Sequence, residues 1–156
     1  MWLCCALVLP LFCTTAFAQT LEVTPVTVDR GSTNIFRIVL KPRTGKPVAA
    51  LQWDLVYREG LRIEPSGVVA GAASEAAGKL VSCARKPSNG TNHRLSCILA
   101  GGVQALGAGA FAIVRFEAAQ DTSTGEKIVG LEKVAGVSPA LELIPIENTK
   151  ALITVR

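Results

Sequence analysis

The chain has 156 residues, and its 16 basic and 12 acidic side chains give a formal net charge of +4 at pH 7. These charges are scattered, with no basic stripe and no interleaved aromatic residues, which argues against a nucleic-acid-binding protein. The length suffices for one domain with a sizeable core and leaves no room for a second.

An export signal is predicted at the N-terminus. Met1–Ala18 contains an apolar run over residues 3–12 and ends in the A-x-A pattern of a signal-peptidase site. An uncleaved membrane anchor is the alternative, since no Lys or Arg precedes the run, but the run is short for a span. Phe12 before Cys13 is too bulky for a lipoprotein signal. We therefore expect cleavage after Ala18, a single mature domain over residues 19–156, and a secreted or periplasmic protein without membrane attachment.

The mature sequence reads as many short strands separated by Gly, Pro, Asn and Ser, with no long helical periodicity. This spacing predicts an all-β fold, a nine-stranded antiparallel β-sandwich of jelly-roll type. The predicted strands are Leu21–Val28, Asn34–Leu40, Ala49–Tyr57, Leu61–Pro65, Lys79–Arg85, Arg94–Ala100, Phe111–Ala118, Lys127–Ala135 and Ala151–Val155. The Ala-rich segment Gly71–Gly78 is expected to form at most a helical turn.

The strand Ala49–Tyr57 shows the clearest alternation of apolar and polar residues, and it predicts the centre of the core. Its inward set shares one parity, and the same argument applied to two other strands extends the core. The predicted centre comprises Phe36, Ile38, Trp53, Leu55, Val114 and Phe116. Tyr57 is also assigned to the core. Phe111 is out of phase with its strand, so we expect it at a bulge and outside the core set.

Two cysteines, Cys83 and Cys97, remain after the signal, and an even count in an exported chain favours a disulfide. The turn-forming residues 87–92 predict a hairpin that places the cysteines opposite each other. Because Gly90 is their midpoint, direct pairing requires an odd-length connection, such as a three-residue loop with a Gly bulge. A redox pair is the alternative, but the C-x-x-C spacing is absent. We expect a structural bridge with Cα atoms roughly 4.4–6.8 Å apart.

No catalytic, metal or cofactor site is predicted. His93 lies in the turn-forming segment, and no Ser, Cys or carboxylate is placed by motif to orient it as a general base. One histidine and a bridged cysteine pair leave no zinc site. The carboxylates are spread singly, whereas a glycosidase requires two that face each other across a cleft. With four of the five mature aromatic residues assigned to the core, a flat sugar-stacking platform is not expected.

Several segments, in their order and spacing, resemble cohesin domains. Val48–Val69 (VAALQWDLVYREGLRIEPSGVV) resembles the region around the central cohesin strand. Asp29–Leu40 resembles the Gly-initiated early strand, Gly107–Phe116 resembles the G-x-G-x-L-A-x-L-x-F strand, and Ala151–Val155 resembles the closing strand. Together these segments extend over nearly all of residues 19–156.

The resemblance implies a non-enzymatic recognition module that binds a dockerin-like protein partner in a polysaccharide-degradation context. In cohesins the dockerin surface lies on the sheet that contains the central strand, and outward residues read the partner. The corresponding partner-binding face here comprises Gln52, Asp54, Val56, Ile113 and Arg115, together with Ser96 and Ile98 if the disulfide points inward. The alternatives are a carbohydrate-binding module that binds polysaccharide directly, and a structural exported β-sandwich without a specific ligand.

Overall fold

The computed structural model describes residues 19–156, so the predicted signal peptide lies outside the described residues. Within that range the chain forms thirteen strands, one 3-10 turn at Pro65–Gly67 and one short helix, α1, at Ala72–Ala76. The strands are β1 (Gln19–Val23), β2 (Val26–Val28), β3 (Thr33–Lys41), β4 (Ala50–Arg58), β5 (Leu61–Arg62), β6 (Val68–Ala70), β7 (Leu80–Asn89), β8 (Asn92–Ala100), β9 (Gly109–Ala118), β10 (Gly125–Val137), β11 (Leu143–Ile144), β12 (Ile146–Asn148) and β13 (Ala151–Val155). No helix in the described range is long and apolar enough to cross a membrane.

The strands form two sheets, which confirms the predicted all-β sandwich. The six-stranded sheet has the order β12-β1-β3-β9-β5, and β6 also pairs with β9. The seven-stranded sheet has the order β2-β13-β10-β4-β8-β7, and β11 pairs with the end of β10. The strand predicted to be central, β4, therefore lies inside the seven-stranded sheet between β10 and β8.

The nine predicted strands differ from the structure mainly at the N-terminus and in the short edge strands. The predicted strand Leu21–Val28 is interrupted at Pro25, which has no N–H to donate to a ladder. The part before the proline, β1, joins the six-stranded sheet, and the part after it, β2, joins the other sheet. Both pair in parallel, with β12 and β13 respectively, so the sandwich is not wholly antiparallel. The prediction also missed β6, β11 and β12, which are too short to show a period.

The space between the sheets is filled by the predicted set of apolar residues. All six residues of the predicted centre are at most 1% exposed. Phe36 contacts Phe116 with ring centroids 5.7 Å apart, which links β3 and β9 within one sheet. Trp53 contacts Phe111 edge-to-face at 5.2 Å, which links the two sheets. The assigned register of β4 is therefore confirmed.

Phe111 belongs to the core, contrary to the prediction, although the predicted bulge is present. Ile38 pairs with Ala112 and Val39 pairs with Ala110, so Phe111 is the extra residue between two ladder pairs. A bulge turns a side chain away from simple alternation. Here Phe111 and Ala112 both become fully buried. All five aromatic residues of the described range are therefore core residues.

The hairpin β7–β8 carries the predicted disulfide between Cys83 and Cys97, which are direct cross-strand partners. Their Cα atoms are 4.1 Å apart. This distance is just below the expected range, while the predicted pairing itself is present. Cys97 is buried beside Trp53, its partner on β4, so the bridge points into the core.

The expected odd-length hairpin loop is wrong. Only Gly90 and Thr91 separate the paired residues Asn89 and Asn92, so the turn has two residues. The register shifts between Lys86 and Asn89, where two residues of β7 oppose one residue of β8. The extra residue is therefore accommodated by a bulge within the strand rather than in the loop, and Pro87 is tolerated there because it need not donate to the ladder.

Candidate functional site

The outer face of the seven-stranded sheet brings together most of the predicted site residues. Directly paired residues of antiparallel strands point to the same side, so the register defines rows across β10, β4, β8 and β7. One row consists of Glu132, Asp54, Ser96 and Ala84, and the next consists of Ala135, Gln52, Ile98 and Ser82. We call these rows, together with the outward residues in line with them, the outer face.

Five of the seven predicted binding residues lie on the outer face. Gln52 and Ile98 are neighbours on adjacent strands, and both are exposed, Ile98 by 48%. Val56 and Ser96 are half-buried. Ser96 and Ile98 were assigned to the face only if the disulfide points inward, and it does. Asp54 is on the same face, yet it is only 1% exposed.

Ile113 and Arg115 are not part of this face, which corrects the predicted grouping. Both residues lie on β9, which pairs with β3, β5 and β6 in the six-stranded sheet. The prediction that both side chains point away from the core agrees with their burial, since Ile113 is half-buried and Arg115 is exposed. Parity alone decides which side of a sheet a residue occupies, but it does not decide which of the two sheets contains the strand.

Asp54 is buried because cationic side chains from β8 and β7 cover it. Arg94 Nη1 donates to Asp54 Oδ2 at 3.0 Å, and Lys86 Nζ donates to Asp54 Oδ1 at 3.2 Å. Arg94 Nη2 also donates to Glu132 Oε2 at 2.8 Å. These residues come from β8, β7, β4 and β10, so the cluster joins four strands across the centre of the face.

The environment of Asp54 favours its charged form. Burial on its own raises the pKa of the Asp54 carboxyl group, but hydrogen bonds from Ser96, Arg94 and Lys86 outweigh it, and the pKa is lowered from its ordinary value. Asp54 is therefore ionised at neutral pH with its oxygens already occupied. A partner that approaches this part of the face meets the covering cations before it meets the carboxylate.

One end of the outer face is apolar. The register of the sheet, continued by one residue beyond the last β4–β8 pair, aligns one further row beyond Gln52 and Ile98, and we call it the apolar row: Leu143, Val137, Ala50, Ala100 and Leu80. Leu80 is 76% exposed and Leu143 is 80% exposed. Val103 and Leu141, in the loops that follow β8 and β10, are also exposed apolar residues. The two leucines of the row lie at its opposite ends, on β7 and β11, with the half-buried Ala50, Ala100 and Val137 between them. An apolar strip of this kind is typical of an interaction surface.

The two leucines of the apolar row were missed by the sequence analysis, for different reasons. Leu80 shares parity with Ser82 and Ala84, opposite to the inward Cys83, so its outward position could have been found from the predicted strand. Leu143 lies in the short strand β11, which shows no period of its own. Only its pairing with Val137 brings it to the face.

A polar cleft of about 500 Å³ opens at the end of the sandwich where β4 passes into β5. Its lining includes Glu59, Arg85, His93, Asp121, Ser123 and Lys127. Arg85 is held on one side by Glu64 at 2.9 Å and by the Ile63 carbonyl oxygen at 3.2 Å. It also donates to the hydroxyl of Tyr57, and burial raises the pKa of that phenol.

His93 has a serine neighbour that the sequence analysis did not anticipate. The bulge in β7 places Ser88 Oγ 3.1 Å from His93 Nδ1. The hydrogen bond is exposed, and the His93 ring also contacts the ring of Tyr57, with centroids 5.5 Å apart and planes tilted by 31°. An activated nucleophile needs its base oriented by a third group, typically a buried carboxylate. Nothing around His93 performs that role among residues 19–156, nor does that range contain a group of three or more His, Cys, Asp or Glu suited to a metal ion.

Comparison with solved structures identifies the fold as that of cohesin domains. A cohesin of OlpA from Clostridium thermocellum, solved in a type I complex with the dockerin Doc918, matches with a TM-score of 0.74 at 13% identity, covering 90% of this chain and 100% of that one. The sixth cohesin of scaffoldin B from Acetivibrio cellulolyticus, in complex with a Cel5 dockerin mutant, matches with a TM-score of 0.71 at 12% identity, covering 90% and 100%.

A non-cellulosomal cohesin from the archaeon Archaeoglobus fulgidus also matches, with a TM-score of 0.68 at 13% identity, covering 90% of this chain and 92% of that one. No protein-family model and no curated protein sequence matches the chain. The cohesin resemblance of the sequence is therefore confirmed for the fold, across nearly the whole described range.

Proposed function

We propose that this chain, which has the cohesin fold, is a non-catalytic recognition module whose outer face binds a dockerin-like protein partner. The observation that carries the proposal is the apolar row with its exposed neighbour Ile98. Protein interfaces are built around a desolvated apolar centre and a polar rim. The outer face offers both, with the apolar row at one end and the Asp54 cluster beside it.

The comparisons support the same kind of partner. Several of the matching cohesins were solved with a dockerin bound. Their identities to this chain are between 12% and 13%, so the shared fold supports the class of partner and not its identity.

Export and a role in polysaccharide degradation are part of the proposal. The Cys83–Cys97 disulfide supports export, because disulfides persist mainly in oxidising compartments. The proposed mature domain begins at Gln19, after cleavage of the predicted signal. Direct binding of polysaccharide receives less support, because all five aromatic side chains of the described range are buried in the core and none is available for stacking on a sugar ring.

The test is a calorimetric titration of residues 19–156 against a panel of dockerin domains, with a glycan array in parallel. Ile98→Asp places a charge on the outer face, and Val69→Asp is its matched control on the other sheet. Ile98 is 48% exposed and Val69 is 49% exposed. We expect Ile98→Asp to weaken dockerin binding at least tenfold, or about 1.4 kcal/mol, and Val69→Asp to leave it within about twofold.

Circular dichroism and thermal unfolding establish that both variants are folded. If no dockerin binds while glycans do, the carbohydrate-binding alternative replaces the proposal. If both variants weaken binding equally, the partner surface is not the outer face.

A further inference from the structure

Charged and uncharged side chains are segregated on the outer face. The apolar row and the adjacent row of Ala135, Gln52, Ile98 and Ser82 contain no charged residue. The next three lines across the sheet contain six charged residues: Glu132 and Asp54 in one, Lys150, Arg94 and Lys86 in the next, and Arg58 in the last. The exposed Lys133 lies at the boundary, in the β10 bulge between Glu132 and Ala135. The face therefore has an apolar half and a charged half, which meet between Gln52 and Asp54.

The charged half carries four cations and two anions, and one of the two anions, Asp54, is buried. Asp54 is buried beneath Lys86 and Arg94, whose side chains are 40% and 26% exposed. The anion Glu132 is held by Arg94 at 2.8 Å. Both carboxylates of these three lines, Asp54 and Glu132, are thus paired with cations from the same face.

Two further cations in this half have no ion pair within residues 19–156. Arg58 is exposed at the end of β4. Lys150 is exposed just before β13, and its side-chain stem crosses the space above Gly130, with Cγ 3.3 Å from where a Cβ would stand. Because Gly130 pairs with Val56, this path carries the Lys150 ammonium group over the outer face. The nearby anion is Glu126, which lines the same shallow depression as Arg58 at the edge.

We infer that the partner of this face is an acidic protein surface, whose apolar side chains contact the apolar half and whose carboxylates contact the charged half. The inference rests on the proposed function and specifies the chemistry of the partner. Unpaired rim cations attract such a partner over a distance of about 10 Å at 0.1 M salt. They act mainly on the rate of association and on its salt dependence, while the apolar half controls dissociation.

The experiment reverses the charge at the two unpaired cations, Arg58 and Lys150. The variant is Arg58→Glu with Lys150→Glu, and the matched control is Arg37→Glu with Arg115→Glu. The control makes the same change in net charge at two exposed arginines of the six-stranded sheet. The probes are dockerin domains with acidic and with basic surfaces, measured by surface plasmon resonance at 50 mM and 500 mM NaCl.

We expect acidic dockerins to bind more tightly than basic ones at 50 mM NaCl. The Arg58/Lys150 variant slows association of an acidic dockerin at least tenfold at 50 mM NaCl and loses most of the salt dependence. The Arg37/Arg115 variant stays within threefold, because only the overall charge has changed.

The outcomes separate this inference from the proposed function. If dockerins bind and Ile98→Asp abolishes binding, but the two charge variants behave alike or basic dockerins bind more tightly, the partner is not acidic and only this inference fails. If no dockerin binds, the proposed function fails and this inference fails with it. Sedimentation of the chain as a dimer that Ile98→Asp dissociates would assign the face to a second copy instead, and would overturn the inference.

Discussion

Loss of the disulfide should lower the free energy of unfolding by about 3 kcal/mol. Cys83 and Cys97 are separated by 14 positions, so the bridge closes a loop of about 15 residues. The loop-closure entropy removed from the unfolded chain is roughly 10 cal/mol/K for that length, or about 3 kcal/mol at 25 °C. For a 138-residue domain with an unfolding entropy near 2.1 cal/mol/K per residue, the same loss lowers Tm by roughly 10 °C.

The assay is urea unfolding of residues 19–156, followed by Trp53 fluorescence, with and without a thiol reductant. Reduction opens the bridge and leaves every other side chain unchanged, so the difference reports mainly on loop closure. The variant Cys83→Ala with Cys97→Ala serves as the control, and its stability should be the same in both conditions. It should also be less stable than reduced wild-type protein, because Cys97 is buried beside Trp53.

Two results would refute the reasoning. One is a difference between oxidised and reduced protein of less than about 1 kcal/mol, which would mean that the unfolded chain gains little freedom when the bridge opens. The other is the titration of two reactive thiols in protein recovered from an oxidising compartment.

The intact mass of the exported protein tests both the disulfide bridge and the cleavage after Ala18 in one measurement.

Two further predictions concern the Asp54 cluster and one close contact. Asp54→Asn should lower the free energy of unfolding by about 1–3 kcal/mol at pH 7, since charged hydrogen bonds are lost. Because the pKa of Asp54 is lowered in the folded state, the extra stability of the wild-type protein over the variant is complete above the unfolded pKa of about 3.9 and shrinks as pH falls below it. Urea titrations of both proteins at pH 7 and pH 3 measure this, and a stability difference that grew on acidification would contradict it. Gly71→Ala should cost roughly 1–3 kcal/mol, because a Cβ there would lie 2.4 Å from the Ala110 carbonyl oxygen. Gly107→Ala, with nothing within 4 Å, should change thermal stability by less than about 0.5 kcal/mol, and equal effects would argue against the close contact.

The fold could be predicted from the sequence wherever inward apolar and outward polar side chains alternate along a strand. Strict alternation in β4 located Trp53 and Leu55 in the core and assigned the sheet that carries the outer face. The same rule failed at Phe111, because a bulge inserts this residue and the consecutive residues Phe111 and Ala112 are then both buried. It also could not reveal the split at Pro25, where the chain passes from one sheet to the other.

The candidate site was less predictable, because it depends on pairings between distant segments. Parity correctly placed Gln52, Asp54 and Ile98 on one side of their strands. Asp54 nevertheless contacts residues 32 and 40 positions away, and those contacts turn an expected exposed carboxylate into a buried one. No local pattern distinguishes the sheet of β9 from that of β4, so Ile113 and Arg115 were grouped with the wrong face.

The parallel pairing of β2 with β13 determines how the domain responds to tension. Ladder contacts join Val26–Val28 to Ile153–Val155, and the backbone of Arg156 adds hydrogen bonds with Val28 and Arg30. A pull applied at residue 19 and at residue 156 draws these parallel strands in opposite directions along their length. The hydrogen bonds between them are then loaded together in shear rather than opened one after another. Residue 19 is connected to β2 through β1, which itself pairs in parallel with β12, so a domain tethered through its ends resists extension at both parallel pairs.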